Sequence, residues 1–377
     1  MTKKSKSKEQ PSAKIKVIGV GGAGNNAISR MCESFPRAVD LIAINTDIQD
    51  LNFTNARKKI HIGKNLTRGL GTGMNPDLGR QAAEENRSEI VEALKGADMV
   101  FITCGEGGGT GTGASPVIAE IAKELGILTI AIVTKPFSFE GAQRAFLAQE
   151  GITKLRERVD TLITVPNDRI FSVINKDTSL IKAFEEIDEI LKNAVLGITE
   201  LIMFPGIVNV DFADVKTIMA EAGSAIIGFG IAGGQERASR AANLAINSPL
   251  LEATIDGAKG VLFSVSGHRD LKMNEINEVA KLISESVDQS AKIIFGAYHD
   301  RKLNKGQLKV TLVATGFNGD LSHKNNLLQN LFVSQIENGE QAEEINITET
   351  DKKTEKSKKE KLEEIWETPT FLRKKKR

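Results

Sequence analysis

Residues 105–113 read Gly-Glu-Gly-Gly-Gly-Thr-Gly-Thr-Gly, and this segment constrains the fold of the chain more than any other. The apolar run Met99–Thr103 precedes it and predicts a buried strand. Ala114–Ala119 follows it and predicts a helix with Pro116 in its first turn. Between a strand and a helix, bare backbone N–H groups converge on an anion at the positive end of the helix. Six glycines without Cβ atoms and two threonine hydroxyls therefore favour a phosphate-binding turn over a flexible glycine turn.

Short β-branched runs alternate with helical segments through the first half of the chain. The runs are Ile15–Val20, Val39–Ile44, Ile60–Ile62, Met99–Thr103, Ile127–Val133 and Thr161–Val165. They are continuously apolar, which is typical of parallel strands buried on both faces, and helical stretches such as Arg80–Leu94 lie between them. An open α/β sheet of this kind binds ligands at the carboxyl ends of its strands. Glycine-rich turns at 21–24, 69–73 and 105–113 share that edge, which suits a triphosphate.

A dinucleotide site is a competing interpretation of the first glycine-rich turn. Gly19, Gly21 and Gly24 match the G-x-G-x-x-G fingerprint, and Asp47 follows a predicted strand where an NAD site places its acidic ribose ligand. A single match of this kind is weak evidence, and the residues of this turn alone do not reject it. The G-x-x-x-x-G-K-[ST] motif does not occur in the sequence, which excludes a P-loop NTPase.

The composition limits the class of partner and the compartment. Charged residues make up 26% of the chain and the formal net charge is +1, which indicates no nucleic-acid partner. Residues 1–12 carry +3 and residues 351–377 carry +5, so the body between them is acidic. Two cysteines lack metal-ligand spacing, and no apolar run reaches about 18 residues. We therefore expect a cytoplasmic protein with no membrane span and no signal peptide.

Several motifs, in order along the chain, resemble those of the tubulin/FtsZ superfamily. Gly107–Gly113 matches its signature glycine loop, and further matches are Pro136–Gly141, Val165–Asp168 and Asn209–Val215. The resemblance is greatest to the FtsZ family of bacterial cell-division GTPases and runs from about Ile15 to Phe317. It implies a Rossmann-like parallel-sheet GTPase domain, a long central helix, and a smaller α+β domain with a four-stranded sheet. In this family the first glycine loop binds a mononucleotide, which favours GTP over NAD.

The resemblance also assigns GTP-binding residues. Those near the phosphates would be Gly21, Gly22, Ala23, Gly24, Asn25, Gly71, Thr72, Gly73, Gly107, Gly108, Gly109, Thr110, Gly111 and Thr112. Mg²⁺ would come with the GTP or GDP, and no protein side chain is assigned to it. Glu140 and Arg144 would reach the ribose side, the alternative being a surface ion pair.

The base would be framed by Asn167, Phe184 and Asp188. Phe184 and Asp188 lie four residues apart, so they share one helical face. The ring would stack on guanine while the carboxylate accepts its N–H groups. The alternative is a buried phenylalanine beside a solvated aspartate.

Residues 175–204 predict one long helix, because their apolar positions recur with a 3.6-residue period over about 45 Å. After it, Asp211 and Asp214 predict a helix N-cap with an acidic residue three positions later. The resemblance implies a further role, in which this loop enters the nucleotide pocket of the next subunit. There Asp211 and Asp214, with Asn209, would act on the attacking water. Capping and catalysis are compatible.

The predicted domains follow from these segments. They are an N-terminal extension (1–13), a GTP-binding domain (14–174), the central helix (175–204), a catalytic loop with its following helix (205–222), an α+β domain (223–317), a disordered linker (318–361) and a C-terminal peptide (362–377). The last peptide holds the single Trp of the chain, and such amphipathic anchors dock in a partner's groove. The predicted partner-binding residues are Ile365, Trp366, Pro369, Phe371, Leu372 and Arg373.

The resemblance implies membrane-tethering and regulatory division proteins as partners of this peptide. Glu367-Thr368 departs from the family's acidic-plus-aliphatic pair, which leaves the partner's identity open, and a solubilising basic end is the alternative. For the whole chain the resemblance implies a GTPase that polymerises head-to-tail and forms the mid-cell division ring. An NAD(P)-binding oxidoreductase and a relative that holds GTP without hydrolysing it are the alternatives.

Overall fold

The computed structural model describes residues 13–175, 177–204, 206–249, 252–300 and 302–317. Residues 1–12 of the predicted extension, the predicted linker and the predicted C-terminal peptide lie outside this part of the chain. The six partner-binding residues assigned to that peptide are therefore also outside it.

Six parallel strands form the first half of the sheet. They are β1 (Ile15–Val20), β2 (Asp40–Asn45), β3 (Lys58–His61), β4 (Met99–Gly105), β5 (Leu128–Lys135) and β6 (Thr161–Pro166). The helices between them are α1 (Gly21–Met31), α2 (Ile48–Phe53), α3 (Lys64–Thr67), α4 (Pro76–Glu85), α5 (Arg87–Leu94), α6 (Thr110–Glu124) and α7 (Ala142–Arg156). Two short 3-10 segments, Ser138–Glu140 and Asn167–Ser172, follow β5 and β6.

The order of these strands places a crevice at one point of the sheet. The order is β3-β2-β1-β4-β5-β6, so the chain moves outwards in one direction from β1 and in the other direction from β4. β1 and β4 are neighbours, paired in parallel from Ile15–Met99 to Val20–Cys104. In open α/β sheets ligands bind outside the carboxyl ends of the strands at such a reversal. The topology therefore predicts a site beyond Val20 and Cys104.

The second half contains a long helix and four further strands. Its elements are α8 (Leu180–Met203), α9 (Phe212–Met219), β7 (Gly223–Gly233), α10 (Arg237–Ile246), β8 (Gly260–Gly267), α11 (Met273–Glu285), β9 (Lys292–His299) and β10 (Gln307–Thr315). The strands continue the sheet in the order β7-β10-β8-β9, with β10 antiparallel to β7 and β8. The predicted fold class is confirmed. The four strands are not a separate sheet, because β7 pairs with β6 over three residues.

The core unites both halves around α8. Leu191, Val195 and Ile198 of this helix belong to one buried cluster with Val17 of β1 and Leu262 of β8. Because the apolar face of α8 is covered from both sides, the helix is a shared core element. No helix among the described residues has the length and the apolar character needed to cross a membrane.

Three predicted helices differ from the observed ones. The long helix has 24 residues, about 36 Å, because Ser179 caps it by accepting a hydrogen bond from the Lys182 N–H. The stretch Arg80–Leu94 belongs to two helices that meet at Asn86. Pro116 lies in the second turn of α6, since that helix begins at Thr110, inside the glycine-rich segment.

Candidate functional site

A cleft of about 430 Å³ opens at the carboxyl ends of β1, β4 and β5. It brings together residues from all of the predicted nucleotide segments. The predicted residues that line it are Gly21, Gly22, Ala23, Thr72, Gly73, Gly108, Gly109, Thr110, Gly111, Glu140, Arg144, Asn167 and Phe184. Gly24, Asn25, Gly71, Gly107, Thr112 and Asp188 are not among its lining residues. The cleft therefore lies where the strand order reverses.

Two helices begin at this cleft without a side-chain cap. The N-cap of α1 is Val20 and that of α6 is Gly109, and neither helix has an acidic residue in its first turn. The first N–H groups of a helix have no partner within the helix, and they carry the positive end of its dipole. The two N-termini together form an anion-binding site. Gly21 and Thr110, which the sequence analysis placed in glycine-rich turns, are thus the first residues of α1 and α6.

The glycines of the cleft fall into two kinds. Gly21 has φ +69°, and a Cβ on it would lie 3.0 Å from the N atom of Gly111. A Cβ on Gly109 would collide with Thr72 and lie 2.8 Å from the N atom of Asn75. These glycines let the three segments touch one another. A Cβ on Gly108 would meet no atom within 4 Å, so this residue faces the open cleft.

A chain of buried hydroxyl groups links three segments beneath the cleft. The Thr110 Oγ1 lies 2.8 Å from the Thr46 Oγ1 and 3.2 Å from the Thr72 Oγ1. Thr46, after β2, is a contributor that the sequence analysis missed, because no motif marks it. The contacts hold the glycine-rich start of α6 against the 69–73 segment.

Asp47, the acidic residue of the dinucleotide interpretation, has a structural role. Its carboxylate caps α2 by accepting hydrogen bonds from the Gln49 N–H (2.9 Å) and the Asp50 N–H (3.2 Å). It does not line the cleft. A capping carboxylate satisfies two helix N–H groups, which accounts for an aspartate at this position without a ribose ligand.

Two asparagine side chains near the cleft hold unpaired polar atoms. Asn167 lines the cleft, and its Oδ1 is buried without a hydrogen-bond partner. Asn25, in the first turns of α1, is 0% exposed, and both polar atoms of its amide are unpaired. A buried unpaired polar group costs about 1–3 kcal/mol. The Asn167 oxygen fits a polar ligand in the cleft, and with the uncapped helices it fits a nucleotide, whereas Asn25 does not line the cleft.

The predicted ribose and base residues lie at the mouth of the cleft. Glu140 and Arg144 form an ion pair, as the structural alternative expects, and both line the cleft. The Glu140 Oε1 also accepts a hydrogen bond from the Phe137 N–H at 2.8 Å. Phe184 is 43% exposed, and its ring lies roughly perpendicular to that of Phe137 with the centroids 5.6 Å apart.

Asp188 is not the solvated aspartate of the structural alternative, and its contact with the base stays a prediction. It is mostly buried, and its Oδ2 accepts a hydrogen bond from the Arg30 Nε at 2.9 Å. Burial raises the pKa of Asp188, and the Arg30 guanidinium opposes this. Arg30 lies on α1, and nothing in the sequence links it to a residue so distant along the chain. The ion pair holds Asp188 one helical turn after Phe184 along α8.

Asp211 and Asp214 form a capping box at the start of α9. The Asp211 N–H donates to the Asp214 Oδ2 at 3.1 Å, and the Phe212 N–H donates to the Asp211 Oδ1 at 2.6 Å. Asn209 accepts a hydrogen bond from the Gly206 N–H at 2.6 Å. All three side chains are exposed, which leaves carboxylate oxygens facing solvent.

These three residues do not reach the cleft of their own molecule. None of them lines it, and α8 extends about 28 Å between Phe184 at the cleft and its last residue, Met203. Within the described ranges no three His, Cys, Asp or Glu side chains are grouped as a metal site requires.

Comparisons with known proteins agree with this geometry. Residues 14–175 match the family model described as Tubulin/FtsZ family, GTPase domain, and residues 223–318 match that of the FtsZ family, C-terminal domain. A solved structure of an empty FtsZ dimer from M. jannaschii is 49% identical, with a TM-score of 0.78 over 82% of this chain and 89% of that one. A tryptophan-to-tyrosine point mutant of FtsZ from M. jannaschii is 48% identical, with a TM-score of 0.78 over 82% of this chain and 92% of that one.

A more distant structure shares the fold. CetZ1 from Haloferax volcanii, a GDP-bound monomer, is 24% identical, with a TM-score of 0.72 over 85% of this chain and 99% of that one.

Proposed function

The chain belongs to the tubulin/FtsZ family of cytoskeletal GTPases, and from this premise we propose that it binds GTP in the cleft and hydrolyses it between neighbouring subunits of a filament. The phosphates lie against the N-termini of α1 and α6, and guanine stacks on Phe184. Asp211 and Asp214 of the next subunit complete the site. The proposed boundaries follow this division, with residues 14–174 binding nucleotide and residues 205–222 supplying the acids.

The observation that supports GTP binding is the pair of uncapped helix N-termini at the strand reversal. Their free N–H groups form a cradle that can hold a multiply charged anion. Mg²⁺ bound with the nucleotide would offset part of the phosphate charge. Asp47 is engaged in capping α2, which weighs against the NAD alternative.

The separation of cleft and acids supports assembly-dependent hydrolysis. The cleft lies beside Phe184, near the start of α8, whereas the acids follow the last residue of α8 along the chain and do not line the cleft. Stacking two molecules head-to-tail brings these together. Such a contact joins unlike surfaces and does not close on itself, so it produces a linear polymer. The FtsZ from M. jannaschii that this chain resembles is described as a dimer.

Hydrolysis then rests on the side chains of the adjacent subunit. Asp211 and Asp214 orient the attacking water and accept its proton, while Asn209 holds the loop that carries them by its bond to Gly206. The filament forms the division ring at mid-cell in the cytoplasm. Residues 362–377 dock the membrane-tethering and regulatory partners, with Trp366 and Phe371 as anchors.

The experiment that tests this function measures ligand choice and phosphate release on one sample. We expect GTP and GDP with magnesium to raise the melting temperature, since a ligand that binds only the native state stabilises it. NAD should leave the melting temperature unchanged. Phosphate release on addition of GTP distinguishes a GTPase from a relative that only holds the nucleotide. A stronger response to NAD than to GTP would overturn the proposal.

Base stacking gives a prediction for Phe184. We expect Phe184→Ala to weaken GTP binding by about 1–3 kcal/mol, the range for removing an aromatic ring beneath a base. The residue is partly exposed, so folding should be little affected. The matched control is Phe171→Ala, because Phe171 also contacts Phe137, at 5.5 Å, but does not line the cleft. Isothermal titration with GDP measures both, and equal affinities would contradict the stacking role.

A further inference from the structure

Glu106 is a carboxylic acid inside the glycine-rich segment, and the proposed function gives it no role. It lines the cleft between Gly105 and Gly108, yet the residue is only 4% exposed. A charged side chain is rarely buried unless it is paired. It lies in the segment proposed to hold the phosphates, so a charge on this carboxyl would be close to a bound nucleotide.

Among the described residues, the groups shown in contact with this carboxyl include no cation. From β4 the Cys104 thiol donates to its Oε1 at 3.3 Å, while its Oε2 has no hydrogen-bond partner. From α7 the backbone of Gly151 packs on it so closely that a Cβ there would collide with the Oε2 and with Thr112 of α6.

Three charged residues of α7 have other contacts or positions. Arg144 pairs with Glu140, and its main chain lies against Gly107. Glu150 and Lys154 line a separate surface groove on the outer side of Gly151. Glu106 is therefore a carboxyl enclosed by uncharged groups from three elements.

Burial without a counter-charge favours the protonated form. It raises the pKa of Glu106 to about 7, although the Cys104 thiol and the Thr112 hydroxyl partly oppose this. A polyphosphate in the cleft brings several negative charges close to the same group. Like charges raise a carboxyl pKa further, so the bound state holds the proton more tightly than the free state.

We propose that Glu106 is a positioning residue that must be uncharged for the glycine-rich segment to hold the phosphates, so that in alkaline solution nucleotide binding takes up a proton from solvent at this carboxyl. The inference rests on the proposed function, since it requires a nucleotide in this cleft. Glu106 touches no reacting atom. It acts through the backbone of Gly105–Gly108, which is anchored by the Glu106 N–H to the Thr134 carbonyl and by the Gly107 N–H to the Thr112 Oγ1, both at 2.9 Å, and which presents Gly108 to the cleft.

The pH dependence follows in sign from this linkage. Below about pH 7 the free protein already carries the proton, so affinity is at its maximum. As the pH rises above about 7, binding must recruit the proton and affinity falls, until the pH exceeds the pKa of the bound state. A difference of one unit between the two pKa values corresponds to about a tenfold loss of affinity.

The test uses the full chain, with GDP and magnesium as the probe, in isothermal titrations from about pH 6 to pH 9. Buffers of different ionisation enthalpy report the protons taken up. Glu106→Gln keeps the size of the side chain but cannot titrate. Glu150→Gln is the matched control, because it removes an exposed carboxylate of α7 on the other side of Gly151. The phosphate's own titration is common to all three proteins and cancels in their ratios.

We expect the affinity ratio of Glu106→Gln to wild type to rise about tenfold from the acid to the alkaline end. Proton uptake in excess of the variant's should appear in wild type and in Glu150→Gln. Parallel pH profiles, or loss of binding by Glu106→Gln at every pH, would overturn the inference alone. Absence of GDP binding by wild type would overturn the proposed function as well. Should Glu106→Gln not fold, proton uptake by wild type no greater than the phosphate's own would overturn the inference.

Discussion

Asp214→Asn is expected to bind GTP and to assemble, but to release phosphate about 100-fold more slowly than wild type or slower still. The asparagine cannot accept a proton from water, yet its Oδ1 can still accept the Asp211 N–H that the native Oδ2 accepts at 3.1 Å. The cap of α9 therefore survives while the proposed chemistry is lost. Phosphate release and light scattering on the same sample measure the two properties separately.

The control is Asp256→Asn, which removes an exposed carboxylate outside the 209–214 loop. We expect it to hydrolyse GTP as wild type does. Asp214→Ala loses the Asp214 half of the capping box together with the carboxylate, and should melt below Asp214→Asn by an amount that corresponds to about 1 kcal/mol, the net value of one hydrogen bond. An Asp214→Asn protein that hydrolyses GTP at the wild-type rate would leave Asp214 with a capping role only.

Gly108→Ala is expected to lose nucleotide affinity about 10- to 100-fold without loss of stability. A Cβ at this position meets no protein atom within 4 Å and projects into the space where the phosphates are proposed to lie. It would keep a charged oxygen from the backbone N–H groups. The φ of Gly108 is not positive, so the nucleotide-free protein should be as stable as wild type or more stable by about 0.4–1 kcal/mol.

Gly109→Ala, at the next residue, is the comparison that separates an effect on ligand binding from an effect on packing within the protein. Its Cβ would strike Thr72 and crowd the N atom of Asn75, so this variant should lose stability even without nucleotide. Thermal unfolding of the nucleotide-free proteins, followed by titration with GDP, distinguishes the two. Unchanged GDP affinity in Gly108→Ala would show that the phosphates bind elsewhere.

The sheet and the place of the cleft are predictable from sequence because their signals are local. Continuous β-branched runs identify buried parallel strands, and the glycine-rich segment marks the end of β4. Parallel strands share a carboxyl edge, so the convergence of the turns after β1 and β4 can be predicted without knowing any long-range contact. The same reasoning predicts the capping box of Asp211 and Asp214, which depends on residues three apart.

The starts of α1 and α6 cannot be predicted in this way. Glycine is a poor helix former, so propensity places the beginning of α6 at Ala114 rather than Thr110. Tertiary packing overrides propensity here. A Cβ on Gly113 would collide with the main chain of Pro76, which means that α4 approaches α6 too closely for any other residue. That contact involves segments far apart in sequence.

Long-range pairs are the other part that sequence reasoning misses. The Arg30–Asp188 pair and the Thr46–Thr110 contact join residues with no common motif. The burial of Glu106 likewise depends on Gly151 of α7, whose closeness only the packed structure reveals. The first two involve the predicted residues Asp188 and Thr110, and none of the three changes the fold.

The central claim, that hydrolysis needs two molecules in contact, is tested most directly by phosphate release per molecule across a dilution series of the wild-type protein. GTP and magnesium are held constant, and light scattering follows assembly in the same samples. The account predicts that turnover per molecule falls together with scattering and disappears where assembly does. Turnover per molecule that stays constant in samples without assembly would contradict it.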